Sequence, residues 1–356
     1  MIYNFSNIKA GGGIQVSLSF LYNLSKIKSS NNDTIILSKK LNSEIDKEQI
    51  NLSKFKILIV QNFFHKIIIL TFHSHNKVYT IFGPTYAFKR RNVKWINGFA
   101  QAWILFPDNK VYSEISLINK IFLKLKFKIQ KIIFSKSDVF IVEHKKIKDL
   151  LIKIYSKKNI IVANNSINEV FKNNKLWSEV NISSNKIKIG IMGNAYAHKN
   201  LKILPYVKRI LFSKYNIETD FYVTLNEHEM RKMSNMFKQN INSLGSLTIY
   251  QCPNFYLKMD IIFFPSNLEC FSVTPLESLF MKKKIVCSNY FFNKYYKSSL
   301  IRFFEPNNSE DAALQIHLHL KNKISQYQDD EVTSIMNKFN SKKRFKIIHE
   351  YINQNS

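Results

Sequence analysis

Two carboxylates, one lysine and a run of glycines are the residues of this sequence whose types and spacing could do chemistry. In residues 265–278, Pro-Ser-Asn-Leu-Glu-Cys-Phe-Ser-Val-Thr-Pro-Leu-Glu-Ser, seven residues separate Glu269 from Glu277. Glu269 falls in a loop after an apolar run, Glu277 in the opening turn of a predicted helix. Thr274 as N-cap, Pro275 at the first helical position and Glu277 three residues after the cap read as a capping box, which gives Glu277 a structural explanation. Nothing comparable accounts for Glu269. Spacing alone does not make the two a hydrolase pair, because a loop and a helix leave their separation open. Upstream, residues 190–201 read as strand, loop and helix start, with Lys199 at the mouth of the loop. An ammonium there, backed by the positive end of a helix, suits the diphosphate of a nucleotide; the alternative is one more solvated lysine. Near the N-terminus, Gly11, Gly12 and Gly13 stand between a predicted strand and a predicted helix, where backbone N–H groups can face an anion. A flexible strand-to-helix turn explains them as well. The pattern is not GxGxxG, and no acidic residue follows a second strand about twenty residues on, so the dinucleotide fingerprint is unmet.

The elements that must position these groups alternate. Short apolar, β-branched runs at 2–6, 34–38, 56–60, 78–83, 139–144 and 160–164 predict strands, and a second set follows at 187–192, 221–225, 247–250, 261–265, 285–288 and 301–304. Amphipathic segments lie between them; the first predicted helix places Ile14, Leu18, Leu21 and Leu24 on one face. This is the pattern of α/β units around parallel sheets, and 356 residues suffice for two domains. Residues 173–185 are polar and without period, which sets the expected boundary. Ligands of such sheets bind outside the carboxyl ends of the strands, where the glycines and the odd polar residues sit.

In this order and spacing, the Glu-x7-Glu pair, the preceding strand with Pro265 and Ser266, the early glycine loop, His198-Lys199-Asn200, Leu244-Gly245 and Glu305-Pro306 resemble the retaining glycosyltransferases of the two-domain GT-B fold. The resemblance is nearest to family GT4, which includes bacterial lipopolysaccharide and capsule glycosyltransferases. It implies two Rossmann-like domains with parallel sheets facing a central cleft. An acceptor-binding domain would cover 1–175, a donor-binding domain 186–335, and a final helix at 342–354 would cross back to the first. It further implies that Glu277 binds the ribose and Glu269 the sugar hydroxyls of the donor. Backbone N–H groups near Phe271 and Ser272 would meet the diphosphate or sugar, and Lys199, assisted by Gly12 and Gly13, would neutralise the leaving diphosphate. No metal and no cofactor are then expected beyond the nucleotide sugar as co-substrate, because positive charge preorganised at the departing phosphate does the main work. Asn194 stands where family members often carry an arginine, and Ser272 where they often carry a glycine. Two rivals share these residues: a nucleotide-sugar epimerase of the same fold, and a polyanion-binding protein with a degenerate donor site.

The acceptor side is read from residues 83–103. Tyr86 follows a strand end, Lys89, Arg90, Arg91 and Lys94 follow it, and Trp95, Phe99 and Trp103 recur at helical spacing. The cluster is expected to meet a phosphate-bearing or lipid-linked glycan acceptor, or else to be a solvated basic helix start over a core stripe. A long predicted helix at 118–134 carries Lys120, Lys124, Lys128 and Lys131 along one stripe and either lies on anionic headgroups or is buried with a wet edge.

Net charge is +28, but arginine occurs at only six positions, so the excess is lysine. Phosphate and base-edge readers favour arginine's fork, and the accompanying wealth of Asn and Ile is what an AT-rich genome writes, so nucleic acid is not the expected partner. An anionic membrane surface is compatible. Cys252, Cys270 and Cys287 form no metal or disulfide spacing, Lys66 interrupts the apolar run from Ile57 to Phe72, and the N-terminus has no secretory pattern. A cytoplasmic protein, peripheral at the inner face of a membrane, is the resulting expectation.

Overall fold

A computed structural model describes residues 1–27, 33–296, 298–322 and 328–354. Among the described residues, thirteen strands form two sheets, every pairing parallel, and the chain divides into two compact units. The first unit runs from Met1 to Ser166 and includes the chain from Phe339 onward; the second is Ile167–Lys338.

In the first unit β1 (Ile2–Phe5), β2 (Thr34–Ser38), β3 (Lys56–Val60), β4 (Lys77–Thr80), β5 (Lys94–Gly98), β6 (Val139–Val142) and β7 (Asn159–Val162) take the order β3-β2-β1-β4-β5-β6-β7. Strands β1, β2 and β6 are buried along their whole length, as strands covered by helices on both faces must be. The helix Gly12–Ser25 buries Ile14, Leu18, Leu21 and Leu24, the face its sequence period marks. The C-terminal helix Ser341–Gln354 lies against it, with Phe345 edge-on to Phe20 at 5.0 Å. Arg344 of that helix donates to the carbonyl of Ala163 and sits 3.6 Å from the buried carboxylate of Glu143.

In the second unit β8 (Ile187–Ile191), β9 (Thr219–Val223), β10 (Ile241–Ser243), β11 (Ile261–Phe264), β12 (Lys284–Ser288) and β13 (Ile301–Phe304) take the order β10-β9-β8-β11-β12-β13. Each sheet therefore reverses its strand order once, between β1 and β4 and between β8 and β11. Chain leaving these neighbours on opposite sides opens a crevice at their carboxyl ends, the place where such sheets take ligands.

Three expectations are corrected. Trp95, Phe99 and Trp103 do not form a helical stripe: Lys94–Gly98 is β5, with Ile96 paired between Tyr79 and Val139. The open slot between β4 and β6 decides this, and Gly98 fits it because a Cβ there would lie 1.7 Å from the carbonyl oxygen of Ile81. Residues 247–250 form a turn, and the edge strand is instead Ile241–Ser243, paired on β9. The units divide at Ser166/Ile167, upstream of the polar stretch 173–185, because Ile167, Val170 and Phe171 are buried in the second unit, Phe171 edge-on to Tyr256.

Candidate active site

The reversal point of the second sheet brings together the two loops that sequence singled out. After β8 the chain turns at Gly193, whose φ of +133° excludes most L side chains, and runs through a short turn, Ala197–Lys199, to Asn200 in the left-handed conformation. After β11 it runs through Pro265 and Ser266 to Glu269. Lys199 Nζ and Glu269 Oε1 meet at 2.7 Å, each side chain about one-sixth exposed. Ser266 Oγ lies 3.0 Å from the same carboxylate oxygen, and the backbone N–H of Asn267 donates to the carbonyl of His198 at 2.7 Å, which ties the two loops together. His198 Nε2 is 3.8 Å from Glu269 Oε1, and its ring stacks on Tyr196. Burial works to raise the carboxyl of Glu269, but Lys199, His198 and the hydrogen bonds from Lys199 and Ser266 outweigh it, holding Glu269 below the usual carboxylate range. Burial pushes His198 down, so near neutrality its imidazole is uncharged.

Glu277 is placed differently from its capping-box reading. Thr274 is already inside the helix Thr274–Phe280, the N-cap is Val273 with helical dihedrals, and no side chain caps that end. The carboxylate of Glu277 instead accepts a 2.7 Å hydrogen bond from the phenol of Tyr256, itself fully buried. Desolvation drives Glu277 up to about 7, with the Tyr256 hydrogen bond opposing, and the same burial raises the Tyr256 phenol well above its ordinary value. Glu277 is therefore a buried carboxyl that changes charge near neutral pH, not a helix cap. Tyr256 was invisible to sequence reasoning, since only the packing of Cys252–Lys258 against the sheet brings it to Glu277.

Of the other residues that the resemblance singles out, Asn194 is half-buried in the β8 loop, its carbonyl accepting from Tyr196 N at 2.9 Å. Ser272 is buried; its carbonyl accepts from Tyr296 OH at 3.1 Å, and Phe271 stands edge-on to the same ring at 6.2 Å. Gly12 and Gly13 belong to the first unit and open the helix Gly12–Ser25 at the carboxyl end of β1, behind Gly11 at φ +63°. A Cβ at Gly12 would meet nothing within 4 Å, so no internal contact demands glycine there. Among the described residues, no group of three or more His, Cys, Asp and Glu could hold a metal ion.

The expected acceptor cluster is not assembled in one place. Tyr86 follows β4 at the carboxyl edge, where Gln130 donates to its hydroxyl at 2.9 Å and Lys66 Nζ lies 4.5 Å from its ring centre. Lys94 opens β5 at the opposite, amino edge, 5.4 Å from the ring of Tyr351, and Arg90 donates to the carbonyl of His73 just before β4. Arg91 is exposed nearby. The residue that does join Tyr86 is Lys66, which donates to Asn7 Oδ1 at 3.0 Å beside the β1–β4 reversal. Burial, then the nearby Lys9, pushes Lys66 down to about 8. Its signal in the sequence was the single charge inside an apolar run. Three histidines of the first unit are engaged structurally: His73 and His75 stack on each other, and His144 caps the helix Lys145–Ile154.

The sequence matches no protein-family model and no curated protein. Solved structures match over the whole chain. A glycosyltransferase from Rickettsia africae is 18% identical with a TM-score of 0.65, covering 100% of this chain and 98% of its own. Sucrose-phosphate synthase from Thermosynechococcus elongatus is 10% identical with a TM-score of 0.73, covering 99% and 98%. HepE from Anabaena, solved with UDP and glucose, is 11% identical with a TM-score of 0.67, covering 99% of each. The chain has the GT-B fold. In this GT-B chain, Lys199, Glu269 and Glu277 all lie in the second sheet's unit, at or beside its reversal point.

Proposed function

We propose that the protein is a glycosyltransferase that moves a hexose from a nucleoside-diphosphate sugar to a glycan or lipid-linked glycan, with retention of anomeric configuration and without a metal. The second unit takes the donor and the first unit the acceptor. One observation carries the reading: Lys199 and Glu269, from the two loops that leave opposite sides of the β8–β11 reversal, converge as a largely buried ion pair. A structural ion pair needs no such placement. A donor site does, because the diphosphate requires a cation and the sugar hydroxyls an acceptor within a few ångströms of each other.

In the ligand-free protein the two charges neutralise each other. An arriving nucleotide sugar divides the pair, its diphosphate taking the Lys199 ammonium and a sugar hydroxyl donating to Glu269. Glu277, ionised, accepts from the ribose hydroxyls. During transfer the bond from the anomeric carbon to the diphosphate oxygen breaks, the acceptor hydroxyl oxygen bonds that carbon from the same face, and the hydroxyl proton passes to the departing diphosphate. Lys199 acts on the charge that grows on the leaving group, which lowers the barrier where a fixed cation is most effective. The similarity to HepE makes UDP-glucose the first donor to test, and the resemblance to GT4 enzymes makes surface polysaccharide assembly the setting.

A thermal-shift titration with UDP, GDP, ADP, CDP and TDP tests the donor site on the wild type, Lys199→Ala and Glu277→Gln. A ligand that binds only the folded state raises the melting point. One diphosphate should stabilise the wild type and lose most of its effect in both variants. Stabilisation by none of the five overturns the donor reading, and consumption of the sugar nucleotide without any acceptor would point to the epimerase.

A further inference from the structure

The helix Leu117–Ser135 is not buried with a wet edge: its broad apolar face is turned outward. Only Phe127 and Phe134 are buried. Ile118, Ile121, Phe122, Leu125, Ile129 and Ile132 recur at intervals of three and four, which puts them on one stripe, and they are between 48% and 80% exposed. Lys120, Lys124, Lys128 and Lys131 border this stripe on one side and Lys126 on the other. A second helix, Phe63–Phe72, presents Phe64, Ile68 and Phe72 at four-residue spacing, again exposed, Phe64 and Phe72 by more than three-quarters.

One side chain links the two helices. Tyr86 joins them, receiving the hydrogen bond from Gln130 of the longer helix and the edge of the Phe63 ring, 5.3 Å away, from the shorter. Phe88, 73% exposed, extends the surface past the end of the shorter helix, its N–H bonded to Thr71 Oγ1. Single exposed apolar residues are ordinary, but an apolar face of this extent on a folded protein marks a surface that binds something.

Charge identifies what it binds. No Asp or Glu occurs between Glu48 and Asp108, nor between Glu114 and Asp138, so both helices and the chain around Phe88 are without negative charge. A second copy docked by two-fold symmetry would set this lysine-bordered surface against itself, cation facing cation. An anionic bilayer satisfies both features, since acyl chains accept the apolar stripe while phosphate headgroups meet the lysines on its borders. Among the described residues no helix is long and apolar enough to cross a membrane, so the contact lies in the plane of the interface. We propose that the first unit docks on an anionic lipid surface through these two helices and Phe88 together, with Leu117–Ser135 lying flat and Phe63–Phe72 inserted beside it. The proposal rests on the surface alone and is independent of the donor site.

Flotation of the full chain with vesicles of phosphatidylcholine, with and without phosphatidylglycerol, provides the test. The wild type should float with the anionic vesicles, at least about tenfold more strongly than with neutral ones, and less so in high salt. Ile121→Glu with Leu125→Glu, and separately Phe64→Glu with Phe72→Glu, should each weaken binding about tenfold or more without lowering the melting point, because all four side chains are solvent-exposed. Failure of the wild type to float overturns the proposal. So does flotation that only the lysines control, with both apolar pairs silent, or a dimer in sedimentation that the same substitutions dissociate in a protein that ignores vesicles. Because no sugar nucleotide enters the assay, a failed donor site leaves these outcomes unchanged.

Discussion

Replacing Glu277 by glutamine isolates the energetics of the buried carboxyl. In the folded protein that carboxyl titrates near 7, against an ordinary value of 4.5. At about 1.4 kcal/mol per tenfold, this displacement corresponds to about 3 kcal/mol. The sign follows from which state holds the proton. Between 4.5 and about 7 the folded protein keeps a proton on Glu277 that the unfolded chain has released, so the stability due to this group is full below 4.5 and falls as pH rises to about 7. Above that the folded state carries a desolvated charge, relieved only by Tyr256. Glutamine keeps the shape, still accepts from Tyr256 through its amide oxygen, and has no charge to bury. Urea denaturation of both proteins across this pH range should show nearly equal stabilities at the acid end, with the variant gaining up to about 3 kcal/mol at the alkaline end. Groups that titrate in both proteins cancel in the difference. Nucleoside-diphosphate binding should move the other way, strengthening in the wild type as Glu277 ionises and staying flat in the variant. A stability difference that does not change with pH, or a wild type more stable than the variant above pH 8, would refute the reasoning.

Lys199→Met should weaken diphosphate binding by about tenfold to a hundredfold in calorimetry, the loss of one charge-assisted hydrogen bond. It also leaves Glu269 buried without its cation, so stability that the wild type holds above the ordinary carboxylate range, and loses as acid protonates Glu269, should be reduced in the variant at neutral pH. Lys66→Met should raise the melting point at neutral pH, because the wild type holds a desolvated ammonium; the advantage should shrink as pH rises from about 8, where folded Lys66 deprotonates, towards 10.5. Gly98→Ala should cost more than about 4 kcal/mol or prevent folding, since the new Cβ would overlap a backbone oxygen, whereas Gly12→Ala should leave stability unchanged or slightly raised. Circular dichroism melts of the two alanine variants separate these outcomes.

The candidate site was legible where chemistry lies close in sequence. Glu269 and Lys199 could be singled out because a polar side chain just past an apolar strand in an α/β chain stands at a carboxyl edge. The role of Glu277 was not legible. Thr274-Pro275-x-Glu277 fits a capping box by every local rule, yet Thr274 lies inside the helix and Tyr256, from another helix, takes the carboxylate. The acceptor cluster failed for a related reason. Residues 86–94 are neighbours in sequence, but a strand's length separates the two edges of a sheet, so Tyr86 and Lys94 part company once 94–98 becomes β5.

By itself the sequence determined the alternation of strands and helices, the two-unit α/β class and most of the strand positions. These depend on burial of local apolar runs and on turn residues, which neighbouring residues encode. The tertiary structure alone decided strand order, and with it the β8–β11 reversal that brings Lys199 to Glu269 across an interval of seventy residues. It also decided that Trp95 belongs to a strand, because the slot between β4 and β6 outweighs a helical period. It decided which face of Leu117–Ser135 meets solvent, since an apolar stripe looks the same in sequence whether a core or a lipid surface is to cover it. Sequence encodes which surfaces must leave water; only the packing of all the others shows which of them still face it.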